Sequence, residues 1–500
     1  MPVSLKQRRL TRRQLLLRAG GTATGIAGAG GAYRVARLFG AFDKRVHRPA
    51  PSTQTFHSRP DLRPTAITVT GRSDAPGYLF IGPGLKDRSQ AGPLILDSAG
   101  EPVWFMPLPP SKWAANFMVS QYQGQRVLTW WEGAVQRPTG YGIGEAVIMD
   151  DSYHELVRMQ AANGRRMDMH EFRLTPQGTA LFTCYPEAVP VDLSAVGGPR
   201  DGRVLESIFQ EVDIRTGRML MEWRSLEHIP VTESRRPLEH PYDYLHLNSI
   251  QIAPDGHLLV SARHTWTLYK LHRRTGAVIW RLGGKVSDFE MGGGATFAWQ
   301  HDGLQLDERT ITVFDDGWDG ASHTESQSRA IVLDVDELTM TARLRRSYVH
   351  PRRLLSAAMG SARTLPEGGA LVGWGSEPFV SEFAADGRLV GDTAMAAGQQ
   401  SYRAFRLPWR GFPRDRPALA VLTEQGSGSR TTYVSWNGST EVAGWQVRSG
   451  PEARTLAPVV TVPRAGFETA IPIGARRGYV AVTALDSGAR TLASSHTIAL

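Results

Sequence analysis

The sequence predicts an all-β protein: a six-bladed β-propeller followed by a C-terminal β-sandwich. Three observations carry this. One hairpin pattern recurs in register, a second strand–turn–strand pattern recurs six times, and 52 Gly, 31 Pro and 13 Trp punctuate short apolar runs. At 500 residues the chain also exceeds what one hydrophobic core usually supports, which favours repeats or several domains.

The first 45 residues read as a targeting leader. A twin arginine, Arg12-Arg13, is followed by Gln14-Leu15-Leu16-Leu17 and a Gly/Ala-rich stretch to Ala32, as in a twin-arginine export signal. The expectation is export to the cell envelope or beyond; an uncleaved leader would anchor the protein to a membrane. Residues 1–50 hold eleven Lys/Arg and one acid, so the other 450 carry 46 basic and 47 acidic residues. The basic charge belongs to the leader. The body is neutral, with no phosphate-binding stripe, and no nucleic-acid partner is expected. The single cysteine, Cys184, excludes an intramolecular disulfide and reads as a strand-core residue. Residues 46–76 form a linker and lead-in strand.

Residues 77–414 carry the repeats. Four segments align without gaps: those starting at His170, Asn248, His301 and Gly360. In three of them Pro stands six positions on and Gly eight; Asp307 and Arg309 replace them in the copy from His301. Alternating pairs follow the turn (Ala180/Phe182, Leu258/Val260, Ile311/Val313, Ala370/Val372), the period of a strand with one buried face. Outer hairpins turn near Gly100, Asp151, Gly217, Gly276, Asp336 and Gly387. Six of them imply six four-stranded blades, a better fit than a solenoid or paired sandwiches.

Beyond Trp409 the pattern changes. Residues 415–500 contain Trp436, Trp445-Gln-Val447 and the strand Tyr479-Val-Ala-Val-Thr-Ala-Leu485, which together resemble a fibronectin type III sandwich. Its expected role is structural or adhesive.

In a propeller the innermost strands line the axial channel. The shared first positions His170, Asn248 and His301 therefore converge, with His246 two residues ahead of Asn248. Arg263 reads as lying at the far end of the strand that starts near Asn248, away from the cluster unless the chain folds back. His154, His228, His240, His257, His264, His272, His323 and His350 read as turn or surface residues. Trp266, Trp299 and Trp318 lie near the histidine motifs, suited either to stack on an aryl ring or to fill a blade core.

The strings DMHEFRLTPQGTALFT, DYLHLNSIQIAPDGHLLVSARHTW, LYKLHRRTGAVIWRLGGK and FAWQHD resemble the arylsulfotransferase family, the type that uses no nucleotide sulfate donor. The resemblance covers about Gly77 to Trp409. It implies that His301 is the nucleophile, transiently sulfated, and that His170, His246, Asn248 and Arg263 bind the sulfuryl group. It also implies an aryl sulfate and a phenol as small-molecule substrates, with no cofactor and no metal. Periplasmic members of the family carry an extra sandwich domain ahead of the first blade, whereas here a sandwich-like module is expected to follow the propeller. The chemistry suits the residues: a neutral imidazole attacks near pH 7 and leaves again, while an arginine and histidines steady the sulfuryl oxygens. No GxxxxGK[ST] loop is present to cradle a nucleotide donor. Two other classes fit a histidine-lined channel, a metal- or quinone-dependent enzyme and a non-catalytic envelope propeller that binds glycans or proteins. Arg263 speaks against a metal.

Overall fold

The computed structural model describes residues 52–71, 73–84 and 89–500, all in one compact unit. The leader and its twin arginine lie outside the described residues. The fold class is all-β: among the described residues there are strands and three short 3-10 turns but no α-helix.

Six antiparallel four-strand sets follow one another. The second set begins with Trp113–Tyr122, the third with Met167–Leu174, the fourth with Leu247–Ile252, the fifth with His301–Gln305 and the sixth with Ser361–Thr364. The first set is assembled from both ends of this region. Ala404–Leu407 pairs with Tyr78–Ile81, which continues into Leu94–Leu96 and Pro102–Phe105. Ile67–Gly71 adds a fifth strand to the outer edge of the sixth set. The second and third sets are joined through the pairing of Gly144 with Met167.

The repeated hairpins have a physical cause. In three copies Pro fixes φ early in the turn, and a glycine with positive φ, Gly178, Gly256 or Gly368, closes it where a side chain would be strained. The copy from His301 lacks both. There the Asp307 carboxylate accepts the Arg309 N–H at 2.8 Å and supplies the turn with a side-chain acceptor instead. The hairpins predicted near Gly100, Asp151, Gly217, Gly276, Asp336 and Gly387 are all paired strand couples.

Six buried apolar clusters separate the sets, each shared by two neighbours. Phe80 of the first set packs with Trp130 of the second; Trp131 packs with Phe172 of the third. Phe209 meets Tyr269 of the fourth, Leu268 meets Val313 of the fifth, and Phe314 meets Val372 of the sixth. Leu371 of the sixth returns to Leu94 of the first. Burying each such side chain contributes about 1.5–3 kcal/mol. The first strands also touch in succession, from Ala404–Leu407 to Trp113–Tyr122 and onward through the third to the sixth set. Cys184 is buried in the cluster between the second and third sets, as its strand position predicts.

Residues beyond 417 form a three-stranded and a five-stranded sheet around a core that includes Val434, Trp445, Ile471 and Val482. Hydrogen bonds fasten this part to the first two sets. Tyr153 Oη donates to the Gly438 carbonyl at 2.7 Å, and the Asn437 carboxamide exchanges bonds with the Phe105 backbone at 2.9 and 3.0 Å.

Candidate active site

His170, Asn248 and His301 each lie on the first strand of successive sets and are buried. Strand periodicity puts Asp168 on the same face as His170, and its carboxylate takes His170 Nδ1 at 2.7 Å. The same carboxylate accepts the Gly142 N–H and the Thr183 hydroxyl. Burial opposes its ionisation, but the His170 charge and these donors hold its pKa below the usual range. His246 stands just ahead of Leu247–Ile252 with a left-handed φ of 56°, and this turns its ring toward Asp243, 2.7 Å from Nδ1. Asp243 also accepts the Tyr141 hydroxyl at 2.9 Å; although buried, it is held low by His246 and His264.

The Nε2 atoms of His170 and His246 are 3.2 Å apart. Both Nδ1 atoms face ionised carboxylates and therefore carry protons, a tautomer assignment made from their partners. Their Nε2 atoms face each other across this gap, and burial, against the pull of Asp243, lowers the pKa of His246.

Arg263 corrects the sequence expectation. The strand Leu258–Ala262 runs antiparallel to Leu247–Ile252, with Ala262 opposite Leu247, so Arg263 returns to the end where His246 stands. Its backbone N–H donates to the His246 carbonyl at 3.0 Å. The guanidinium donates to the Ala357 carbonyl at 2.8 Å and to His264 Nε2 at 3.0 Å, leaving Nε buried without a partner.

His264 is a second correction. It is not a surface turn residue but is only 3% exposed. Its Nδ1–H donates to the Asp243 carbonyl at 2.6 Å, which leaves Nε2 as the acceptor for Arg263. Burial, with Arg263 and His246 nearby, pushes its pKa well below normal against the pull of Asp243. His350 is also buried, against Trp374 and Phe379, where it meets Asp392 at 3.2 Å. The other six histidines read as turn or surface are partly or fully exposed.

His301 Nδ1 is 2.7 Å from Asp316, one residue past the partner strand of its hairpin, and Nε2 accepts the Met359 N–H at 3.1 Å. Burial foremost, then the charges of Arg263, His170, His246 and Arg403, drive its pKa well below normal. The ring is neutral, with its lone pair on Nε2. Burial and the neighbouring Asp315 raise the Asp316 carboxyl, against Arg263. Tyr402 lies between the histidines, its ring 5.8 Å from His170 and 6.5 Å from His301. Asn248 donates to the Gln300 carbonyl at 2.6 Å, so it steadies the segment entering His301. Its Oδ1 is buried without a partner.

Beneath the histidines, Arg403 is 3% exposed and donates to Glu171 (2.9 Å), Asn116 (2.8 Å) and the backbone carbonyls of His170 and Asn248. Asp302 lies 3.2 Å from its Nε and also pairs with Arg363 at 2.5 Å, and is thus engaged away from His301. Sequence reasoning missed Asp243, Asp316, Tyr402 and Arg403. The first two were readable as carboxylates next to the motifs, in DYLH and FDD. Tyr402 and Arg403 precede a strand whose partner comes from residue 78 onward, so no local hairpin marks them.

Fold and site together define an all-β protein with a buried centre of imidazoles, carboxylates and two arginines, Arg263 and Arg403. Residues 119–396 match the family Arylsulfotransferase (ASST), and the chain belongs to that family. No curated protein matches it. Among solved structures it is similar to a protein of unknown function from Bacteroides caccae, at 14% identity over 66% of this chain and 98% of that one, TM-score 0.40. It is also similar to the β-propeller domain of Cps50 (Swd1) from Myceliophteria thermophila (11% identity, 64% and 93% covered, TM-score 0.31). A catalytically inactive virginiamycin B lyase from Staphylococcus aureus with quinupristin gives 7% identity, 75% and 97% covered, TM-score 0.33. At these scores the three likenesses carry no argument about chemistry.

Proposed function

We propose that this chain moves a sulfuryl group from an aryl sulfate to a phenol through a sulfated His301, in two ping-pong steps. We read residues 77–414 as a six-bladed β-propeller with the site in its channel, and residues 415–500 as a fibronectin type III-like sandwich. The six shared apolar clusters and the strand that joins residues 404–407 to residues 78–81 support the propeller. Export through a twin-arginine leader remains part of the proposal on sequence grounds.

The observation that carries the function is a neutral, buried imidazole in a family of sulfotransferases, its Nδ1–H fixed by Asp316 and an arginine close by. In the first step the donor displaces the Met359 N–H from Nε2. The Nε2 lone pair then forms the N–S bond as the aryl O–S bond breaks, and the phenolate leaves and takes a proton from water. Arg263 and the freed Met359 amide donate to the sulfuryl oxygens. The sulfated ring is cationic, and Asp316 accepts its Nδ1–H. In the second step the acceptor phenol gives its proton to the Nε2 lone pair of His246 as its oxygen attacks sulfur and the N–S bond breaks.

The donor atoms of Asp243, His246 and His264 lie within 4.8 Å of one another, which favours a metal as the second reading. Against it, both His264 nitrogens are engaged and one faces the Arg263 cation. Turnover of 4-nitrophenyl sulfate with phenol tests both. The proposal expects turnover that survives a chelator and is lost in His301→Ala. Full activity in that variant contradicts the nucleophile, and loss on chelation supports the metal.

A further inference from the structure

Three loops that hold site residues also wall a separate cavity of about 240 Å³. Trp266 follows Arg263 by three residues, Ala298 precedes His301 by three, and Glu325 lies in the loop that begins at Asp316. Three residues span at most about 11 Å, which bounds the backbone distance from this wall to His301. An apolar cavity of about 150 Å³ already admits benzene.

The lining is unusual for plain packing. Trp266 of the lining and Trp299, next to Ala298 but outside it, hold left-handed φ values of 57° and 51°, costly for bulky residues, with their rings edge-on at 4.7 Å. The Trp266 indole N–H is buried without a partner. Arg235 lies over the Trp266 ring, 4.7 Å from its centroid, and one guanidinium nitrogen donates to the Gly284 carbonyl at 3.0 Å. Its backbone N–H donates to the His264 carbonyl at 2.8 Å, tying it to the Arg263 loop. Among the described residues no carboxylate pairs with Arg235. Glu325, the acid in the lining, is paired with Arg329 at 3.2 Å. Phe297 closes the other side; a Cβ on Gly283 would stand 2.9 Å from its ring, so glycine there leaves the ring its place.

We propose that this cavity selects phenolic acceptors that carry a carboxylate. The ring packs against Trp266 and Phe297, the carboxylate pairs with the remaining Arg235 donors, and the free indole N–H supplies a further bond. This rests on the sulfuryl-transfer reading and adds its acceptor class.

The test compares 4-hydroxybenzoate with phenol as acceptors for 4-nitrophenyl sulfate in the wild type, Arg235→Gln and Arg235→Lys. Binding of 4-hydroxybenzoate to each is followed by calorimetry. The ratio of kcat/KM for 4-hydroxybenzoate to that for phenol falls about fivefold in Arg235→Gln, a size fitting an exposed ion pair, and recovers in Arg235→Lys. A ratio unchanged by Arg235→Gln overturns the cavity's role while leaving sulfuryl transfer intact. If no form turns over an aryl sulfate, the transfer reading fails, and calorimetry still decides the cavity. Weaker binding in Arg235→Gln than in wild type keeps it as an aromatic-acid site, and no binding to the wild type removes it.

Discussion

At the scale of the residue, the site is a set of histidines made unequal by what each Nδ1 faces. Asp168 and Asp243 are held low and fix the Nδ1–H of His170 and His246, whereas His301 is kept neutral by burial and nearby cations. His264 links the groups because it accepts from Arg263 and packs on His246 at 4.7 Å. Replacing it with Leu removes a bond to a charged donor worth about 1.5–3 kcal/mol, so kcat falls about ten- to hundredfold. His264→Gln, which keeps an acceptor, recovers part of that loss; steady-state kinetics of both variants checks it. The pH dependence follows from the lowered pKa values of His246, His264 and His301. The unfolded chain binds protons on these rings at about pH 6.5 and the folded chain only at lower pH, so stability falls as pH drops below about 6.5. For the same reason kcat/KM for the aryl sulfate stays level through neutrality and declines only in acid below the free imidazole range. Denaturant midpoints and rate profiles between mildly acid and neutral pH measure the two effects.

At the scale of the element, the hairpins were the most legible part of the chain, since turn chemistry and period-two burial are both local. The site was legible where it coincided with the repeat, at His170, Asn248 and His301. It was hidden where an antiparallel return or a distant partner did the placing. Arg263 seemed remote because the hairpin was read as one strand; pairing Leu247 with Ala262 brings it back beside His246. His264 and His350 looked peripheral because their sequence neighbours suggest turns or surface, while packing from other strands buries them. The fourth aligned copy opens with Gly360, whose φ is 108° and whose missing Cβ would lie 2.5 Å from the Phe314 ring. Gly360→Ala should therefore cost about 1–3 kcal/mol and displace the adjacent Met359 amide. Thermal unfolding reads the first effect and kcat the second.

At the scale of the whole molecule, the first set draws its strands from residues 78–105 and 404–407, which no local pattern announces. Arg403 sits one residue before that returning strand and joins Glu171, Asp302 and Asn116 beneath the histidines. Arg403→Leu takes the close cation from the buried Glu171 and leaves Asp302 with Arg363 alone; it should destabilise by about 3–5 kcal/mol, a large share of the stability of a typical domain, seen in the denaturant midpoint. A chain ending at Arg414 retains residues 404–407 and should keep its fold and turnover if the C-terminal sheets serve attachment alone; one ending at Met395 should lose both. The central claim, that His301 carries the sulfuryl group, is tested most directly by rapid-quench mixing with 4-nitrophenyl sulfate and no acceptor. The account predicts a burst of one nitrophenol per chain, with an acid-labile sulfuryl group on the peptide containing His301. A burst that persists in His301→Asn, or a label on any other residue, would contradict it.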